Sequence, residues 1–310
     1  MSRYPQDHKM AKKILIFICL CFFGCSWAAA FAAAAPSTTE ATTEGRRLRV
    51  VTTLFALYDF ARAVGQDRVE VTLLLPPGVE AHAFEPRPQD VMRIRQADIF
   101  IYTGSSMEPW VDDILGGMDR SSLIVLDASE GQGATSDPHI WLDFSRVARI
   151  VGAIGDLLAR EDPAGALFYQ QNARAYQAQL AMLDQAYQKT VRACSARTIV
   201  FSGHSVFGLW GERYGLRFIS PYRGFSPDAE LTPRRLAELI SGIKKLNVRY
   251  VYYEELVDPK VGRVIAQETG ATLLLLHGAH NISRDEREQG VTFIGLMEEN
   301  LERLQTGMVC

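Results

Sequence analysis

Residues 163–191, PAGALFYQQNARAYQAQLAMLDQAYQKTV, open with a proline, carry one glycine at Gly165, and then contain no helix breaker. They read as one continuous helix of roughly 29 residues, about 43 Å long at the usual rise per residue. Asp162 before Pro163 suits a helix start rather than a helix interior. The mainly helical region 144–193 therefore divides there, and its second part is long enough to cross a domain.

On either side of this rod lie two sets of apolar, β-branched runs with helical patterns or loops between them. The first is LRVVTT (48–53), VEVTLLL (69–75), ADIFIYTG (97–104) and LIVLDA (123–128); the second is RTIVFSG (197–203), LRFISPY (216–222), RYVYYEE (249–255) and ATLLLLH (271–277). Such alternation points to parallel sheets covered on both faces. The expected fold is α/β: an N-terminal lobe over 48–143 and a C-terminal lobe over 194–310, with parallel-rich sheets and a rigid linker helix between them.

Residues 1–35 have the layout of a signal peptide. Arg3, Lys9, Lys12 and Lys13 stand against Asp7, and an apolar run, Ile14 to Phe23, leads into an alanine-rich zone. An uncleaved anchor is the rival reading, because 14–35 is nearly long enough to span a bilayer; the weakly apolar alanines favour cleavage. Cys25 follows Phe22, Phe23 and Gly24 as a lipoprotein cysteine would, with cleavage in the alanine run as the alternative. Either way the remainder is expected outside the cytoplasm, in the periplasm or at the outer face of the membrane. Residues 36–47 read as a flexible tether.

The whole chain carries a net charge of −3, and the leader, with four basic residues and one acidic, leaves −6 on the rest. Nucleic acid and anionic membrane are poor partners for such a surface. Three of the five cysteines belong to the leader. Cys194 and Cys310 remain, and an oxidising compartment invites a disulfide between them.

Apart from His8 in the leader, the histidines are His82, His139, His204, His277 and His280. His82, His204 and His277 follow predicted strands, and His139 sits in a loop leading into a helix. The carboxyl ends of strands line the crevice where open α/β sheets bind ligands, so lobes that face each other can bring these imidazoles together. Neutral imidazole suits Zn(II), whereas an Mn(II) site would include more carboxylate oxygen. A lone histidine at a strand end is more often an ordinary hydrogen-bonding residue, and the wide spacing is no compact signature of the HExxH kind. Glu254 and Glu255, at the end of RYVYYEE, and Glu85 can accept a hydrogen bond from a ligating imidazole and fix its tautomer; stabilising the start of the next helix is the plainer role. Trp110, Trp141, Phe207 and Trp210 are candidates to wall the crevice or simply to pack the core.

Segments GVEAHAFEPRPQD (78–90), DPHIWLD (137–143), GHSVFGLWGERYGL (203–216) and the stretch from Phe225 to Ala271 together resemble the periplasmic metal-binding proteins of ABC transporters, the family of zinc-uptake and manganese-uptake receptors. The resemblance covers nearly all of Leu48–Cys310. It implies two α/β lobes joined by a long helix, with one metal ion held in the inter-lobe cleft by His82, His139 and His204. For the fourth ligand it leaves two candidates. The family commonly has an acidic residue where spacing from Gly270 and Ala271 places His277, while His280 lies in a His-Asn segment like that of members without such an acid. Manganese-type members carry glutamate where His204 stands, so the zinc branch is implied. The histidine-rich loop of many zinc receptors is absent, since 128–137 reads ASEGQGATSD.

The implied function is a monomeric receptor that captures one Zn(II) and passes it to an ABC-type membrane permease. This chain has no GxxxxGK[ST] segment, so ATP hydrolysis would belong to a separate subunit. The alternatives are a receptor for Mn(II) or another divalent metal, a zinc-dependent hydrolase, and a metal-binding surface adhesin.

Overall fold

In the computed structural model, which describes residues 46–133, 135–222, 224–225, 231–308 and 310, strands β1 (Leu48–Thr52), β2 (Val69–Leu73), β3 (Ile99–Tyr102) and β4 (Ile124–Asp127) form one parallel sheet. The leader 1–35, with Cys25, and the tether as far as residue 45 lie outside the described residues. The sheet order is β2-β1-β3-β4. Every residue of β3, IFIY, is buried, as expected of a strand covered on both faces.

The second half repeats this plan. β5 (Thr198–Val200) pairs with β6 (Arg217–Ile219), and β7 (Tyr250–Tyr253) with β8 (Thr272–Leu275), all parallel. A bridge between Phe201 and Tyr252 sets the two pairs side by side in the order β6-β5-β7-β8. Counted from its own first strand, each half thus runs 2-1-3-4, and the order reverses beside that first strand. That reversal opens a crevice at the carboxyl ends of the strands.

Helices α1 (Phe55–Gly65), α2 (Pro88–Gln96) and α3 (Trp110–Gly116) belong to the first half. Helices α6 (Gly208–Tyr214), α7 (Pro233–Lys244), α8 (Lys260–Thr269), α9 (Arg284–Glu288) and α10 (Phe293–Gly307) belong to the second. Between them run α4 (Phe144–Glu161) and α5 (Ala166–Ala193). Asp143 caps α4 by accepting from the backbone N–H of Ser145 and Arg146. Pro163–Gly165 forms a separate 3-10 turn capped by Asp162, so the long helix begins three residues later than its sequence suggests.

Helix α5 has 28 residues, about 42 Å. Its buried positions, Tyr169, Ala173, Tyr176, Leu180, Leu183, Tyr187, Thr190 and Val191, fall three and four apart and make a continuous stripe along one side. The first half of the rod is fastened to the N-terminal lobe: Asn172 donates to the Val64 carbonyl, and the Tyr176 hydroxyl to buried Asp59. The second half is fastened to the C-terminal lobe. Arg213 and Tyr214 of α6 both donate to Asp184, and the fully buried Tyr187 donates to the Met297 carbonyl in α10. Each fully buried aromatic ring contributes about 1.5–3 kcal/mol by leaving water.

Cys194, at the end of α5, is bonded to Cys310, with Cα atoms 4.4 Å apart. No helix among the described residues is long and apolar enough to cross a membrane.

Candidate metal centre

Four histidines meet at the crevice. His82 lies in the loop after β2, and His139 caps a 3-10 turn, Ile140–Leu142; His204 follows β5, and His280 lies beyond β8. One nitrogen from each can be chosen so that all lie within 4.8 Å of one another. The six distances between ring centroids run only from 4.9 to 5.5 Å. Four points with six nearly equal separations are the corners of a tetrahedron. With an edge of about 5.3 Å, its centre lies about 3.2 Å from each ring centroid, since a regular tetrahedron's radius is about 0.61 of its edge.

Each ring is oriented by its own carboxylate at Nδ1. Glu80 lies 2.8 Å from His82, Asp137 2.7 Å from His139, Glu254 2.8 Å from His204, and Glu255 3.2 Å from His280. A carboxylate accepts an Nδ1–H, so each contact selects the tautomer whose Nε2 is the nitrogen free to bind a metal. Those four Nε2 atoms are buried, and none has a hydrogen-bond partner. Unsatisfied buried acceptors are costly and uncommon, and here four converge on one point.

Local chemistry enforces the arrangement. Glu80 also accepts from the backbone N–H of Ala83, and Asp137 from that of His139, so each acid closes a small turn around its own histidine. Glycine makes room elsewhere. A methyl group on Gly203 would run into the Glu254 carboxylate, and one on Gly208 would lie 2.6 Å from Asp137 Oδ2. Trp141 packs edge-on against both His139 and His280, with centroids 5.4 and 5.2 Å away, and shields them from water.

Burial, and then the three neighbouring imidazoles, hold His139 well below the ordinary histidine range. Burial likewise lowers His280, although Glu255 partly opposes it. Burial acts to raise Glu80, but hydrogen bonds from His82 and the backbone outweigh it and bring the carboxyl down to about 2. Burial raises Glu255 too, and the nearby His277 and His280 bring it to about 2. For Asp137 burial dominates and lifts the carboxyl to about 6. Imidazole rings backed by acidic groups give a pocket of negative potential lined by nitrogen donors, which is the chemistry of a cation site.

His277 is placed elsewhere. It is fully buried, and its backbone N–H and carbonyl are both held by Asn300 of α10. Its Nδ1 accepts from the Ala279 N–H, which puts the neutral ring's proton on Nε2, the nitrogen 3.5 Å from Glu286. Burial lowers this imidazole, but Glu255 and Glu286 more than offset it and the net shift is upward. Ala279, at φ 56°, makes the turn between His277 and His280. Glu85 is exposed, and Glu80 takes the position beside His82 for which Glu85 was a candidate. Glu80 and Asp137 escaped the sequence reading, although a visible signal exists: in Glu80-Ala81-His82 and Asp137-Pro138-His139 an acid precedes the histidine by two positions.

Two small cavities border the cluster at His204, and a third, of about 180 Å³, reaches Asp137 from the other side. One, of about 20 Å³, room for about one water, is bounded by Val79, Glu255, Leu256 and His280 among others; the other, of about 40 Å³, by Gly203, Tyr222, Glu254 and Gly262 among others.

Residues 50–307 match the family model described as ZnuA, zinc-uptake complex component A, periplasmic. The chain is 31% identical over 290 residues to the high-affinity zinc uptake system protein ZnuA of Bacillus subtilis, covering 87% of this chain and 90% of that protein. It is 30% identical over 279 residues to the zinc-binding lipoprotein AdcA of Streptococcus pneumoniae, covering 84% of this chain and 55% of that longer protein. Among solved structures, the Zn(II)-bound ZnuA-like domain of S. pneumoniae AdcA superposes with a TM-score of 0.75 at 31% identity, over 84% of this chain and 99% of that one. The two-lobe fold, the long helix and these similarities agree: the chain belongs to the ZnuA family of periplasmic zinc-uptake components.

Proposed function

We propose that this protein is an extracytoplasmic receptor that captures one Zn(II) as transported cargo and delivers it to an ABC-type permease for import. The observation that carries the reading is the tetrahedron of His82, His139, His204 and His280. Zn–N bonds of about 2.0–2.1 Å, added to roughly 1.1 Å from a ring nitrogen to the imidazole centroid, require a centroid radius of about 3.2 Å. That equals the radius of the histidine tetrahedron. Four nitrogen donors, with carboxylates kept outside them, suit Zn(II) better than Mn(II), which favours oxygen.

A zinc hydrolase needs an open coordination position for water and room for its substrate. Four protein donors argue against an open position, and the cavities of about 20 and 40 Å³ lined by His204 are small for a substrate. The relatives' names, a zinc uptake system protein and a zinc-binding lipoprotein, support cargo binding and export. In this reading residues 1–35 direct export, with Cys25 a lipid attachment point, and residues 36–47 tether the receptor to the membrane. Residues 48–143 and 194–310 form the two lobes around helical region 144–193. The receptor acts as a monomer, and a separate subunit supplies ATP hydrolysis.

The test is zinc accumulation in cells of the source organism grown at limiting zinc. Deleting this chain should lower uptake, and the wild-type chain, but not a His204→Ala variant, should restore it. Uptake indifferent to the deletion would reject the receptor reading.

A further inference from the structure

The carbonyl oxygens of Pro76 and Val79 face the loop between β8 and α9, and one buried side chain satisfies both. Asn281 donates to Pro76 O at 2.7 Å and to Val79 O at 2.9 Å through the same amide nitrogen. Its own oxygen accepts from the Ile282 N–H at 2.9 Å, which fixes the orientation of the amide. Asn281 is fully buried. The strap it sits on makes two further links to the N-terminal lobe: Gly78 N–H donates to Ile282 O at 2.9 Å, and Phe55 N–H, at the start of α1, to His280 O at 3.2 Å.

These bonds join two stretches that each carry a member of the histidine cluster. Val79 immediately precedes Glu80, whose carboxylate orients His82, and Asn281 immediately follows His280. We propose that Asn281 is a positioning residue of the metal site, tying the His82 loop to the His280 strap so that the two imidazoles behave as one preformed half-site. This rests on the metal-receptor reading above. The amide is suited to the task because it supplies two hydrogens to two carbonyls while its oxygen holds the local backbone. Neither aspartate nor leucine of similar size supplies those donors. His82 comes from the first lobe and His280 from the second, and without the clamp only the backbone bonds from Gly78 and Phe55 would link the strap to the first lobe here. Metal affinity falls about 10–100-fold when groups that orient ligands are removed.

The test is a double-mutant cycle on the metal-loaded and metal-stripped mature protein, with Zn(II) affinity measured by chelator competition. Asn281→Ala, with Asn281→Ser as the milder variant, should weaken zinc binding about 10–100-fold in the wild-type background. In a His82→Ala background the same change should weaken it less than about threefold, because with one of the two tied imidazoles gone there is no pair left to hold in register. A merely structural role would give equal losses in both backgrounds and overturn the proposal. Wild-type affinity in the Asn281 variants would also overturn it, and unfolding of both metal-stripped variants would assign Asn281 to the fold instead. If the wild-type protein itself fails to bind zinc, the receptor reading fails, an outcome distinct from all of these.

Discussion

Replacing Cys310 with serine removes the disulfide to Cys194 and frees a loop with a sequence separation of 116 residues. Loop-closure entropy for that separation corresponds to about 4.8 kcal/mol at 25 °C, an upper value for the stability lost. The native state should survive, because α10 keeps other attachments, among them Tyr187 to Met297 O, Tyr252 to Arg303 O, and Gln305 to Thr190. A loss of about 3–4.8 kcal/mol in metal-free protein is therefore expected, equivalent to roughly 5–9 °C in Tm for a domain of this size. Urea unfolding of wild type, Cys310→Ser and the Cys194→Ser/Cys310→Ser pair measures it, with both variants falling together. A loss below about 1 kcal/mol would refute the loop-closure argument, showing that the unfolded chain is not what the bond restrains.

Gly203→Ala should lower zinc affinity without touching a ligand, because the new methyl group displaces Glu254 from His204; Glu254→Gln should reproduce the loss, about 10–100-fold in each case by competition titration. Zinc at about a thousand times its Kd should stabilise the protein by about 4 kcal/mol in thermal unfolding, and removing the metal should abolish that increment. Burial raises the Asp184 carboxyl, but the Arg213 and Tyr214 hydrogen bonds outweigh it, so its folded pKa lies below the ordinary 3.8. Its contribution is thus present above that value and lost as pH falls through the folded pKa. Asp184→Asn should be less stable than wild type at pH 7, with the gap closing on acidification below about pH 4 in urea titrations.

The α/β class and the linker helix were legible because they rest on periodicity and on the absence of breakers, which are local properties. The start of α5 shifted by three residues because Gly165 and the Asp162 cap favour a separate turn. The strand-end positions of His82 and His204 also followed from sequence order. Which of His277 and His280 joins the other three histidines was not legible. It depends on Ala279 adopting a positive φ, on Asn300 gripping His277, and on Glu255 reaching His280, contacts made by residues 23 and 25 positions apart in sequence. Glu254 beside His204 is likewise a pairing across 50 residues, visible only as two strand ends that share a crevice. The acids beside His82 and His139 are local and were readable from the shared two-residue spacing. The Cys194–Cys310 pair followed from counting cysteines once the leader was set aside, whereas their proximity required the fold.

The most direct test of the central claim is zinc K-edge X-ray absorption on the zinc-loaded mature protein, wild type beside His277→Ala and His280→Ala. Four nitrogen scatterers at about 2.0–2.1 Å, all from imidazole, are expected in wild type and in His277→Ala. His280→Ala should lose one imidazole. A wild-type shell with fewer than four imidazoles, or one that His277→Ala disrupts and His280→Ala leaves intact, would contradict the four-histidine site.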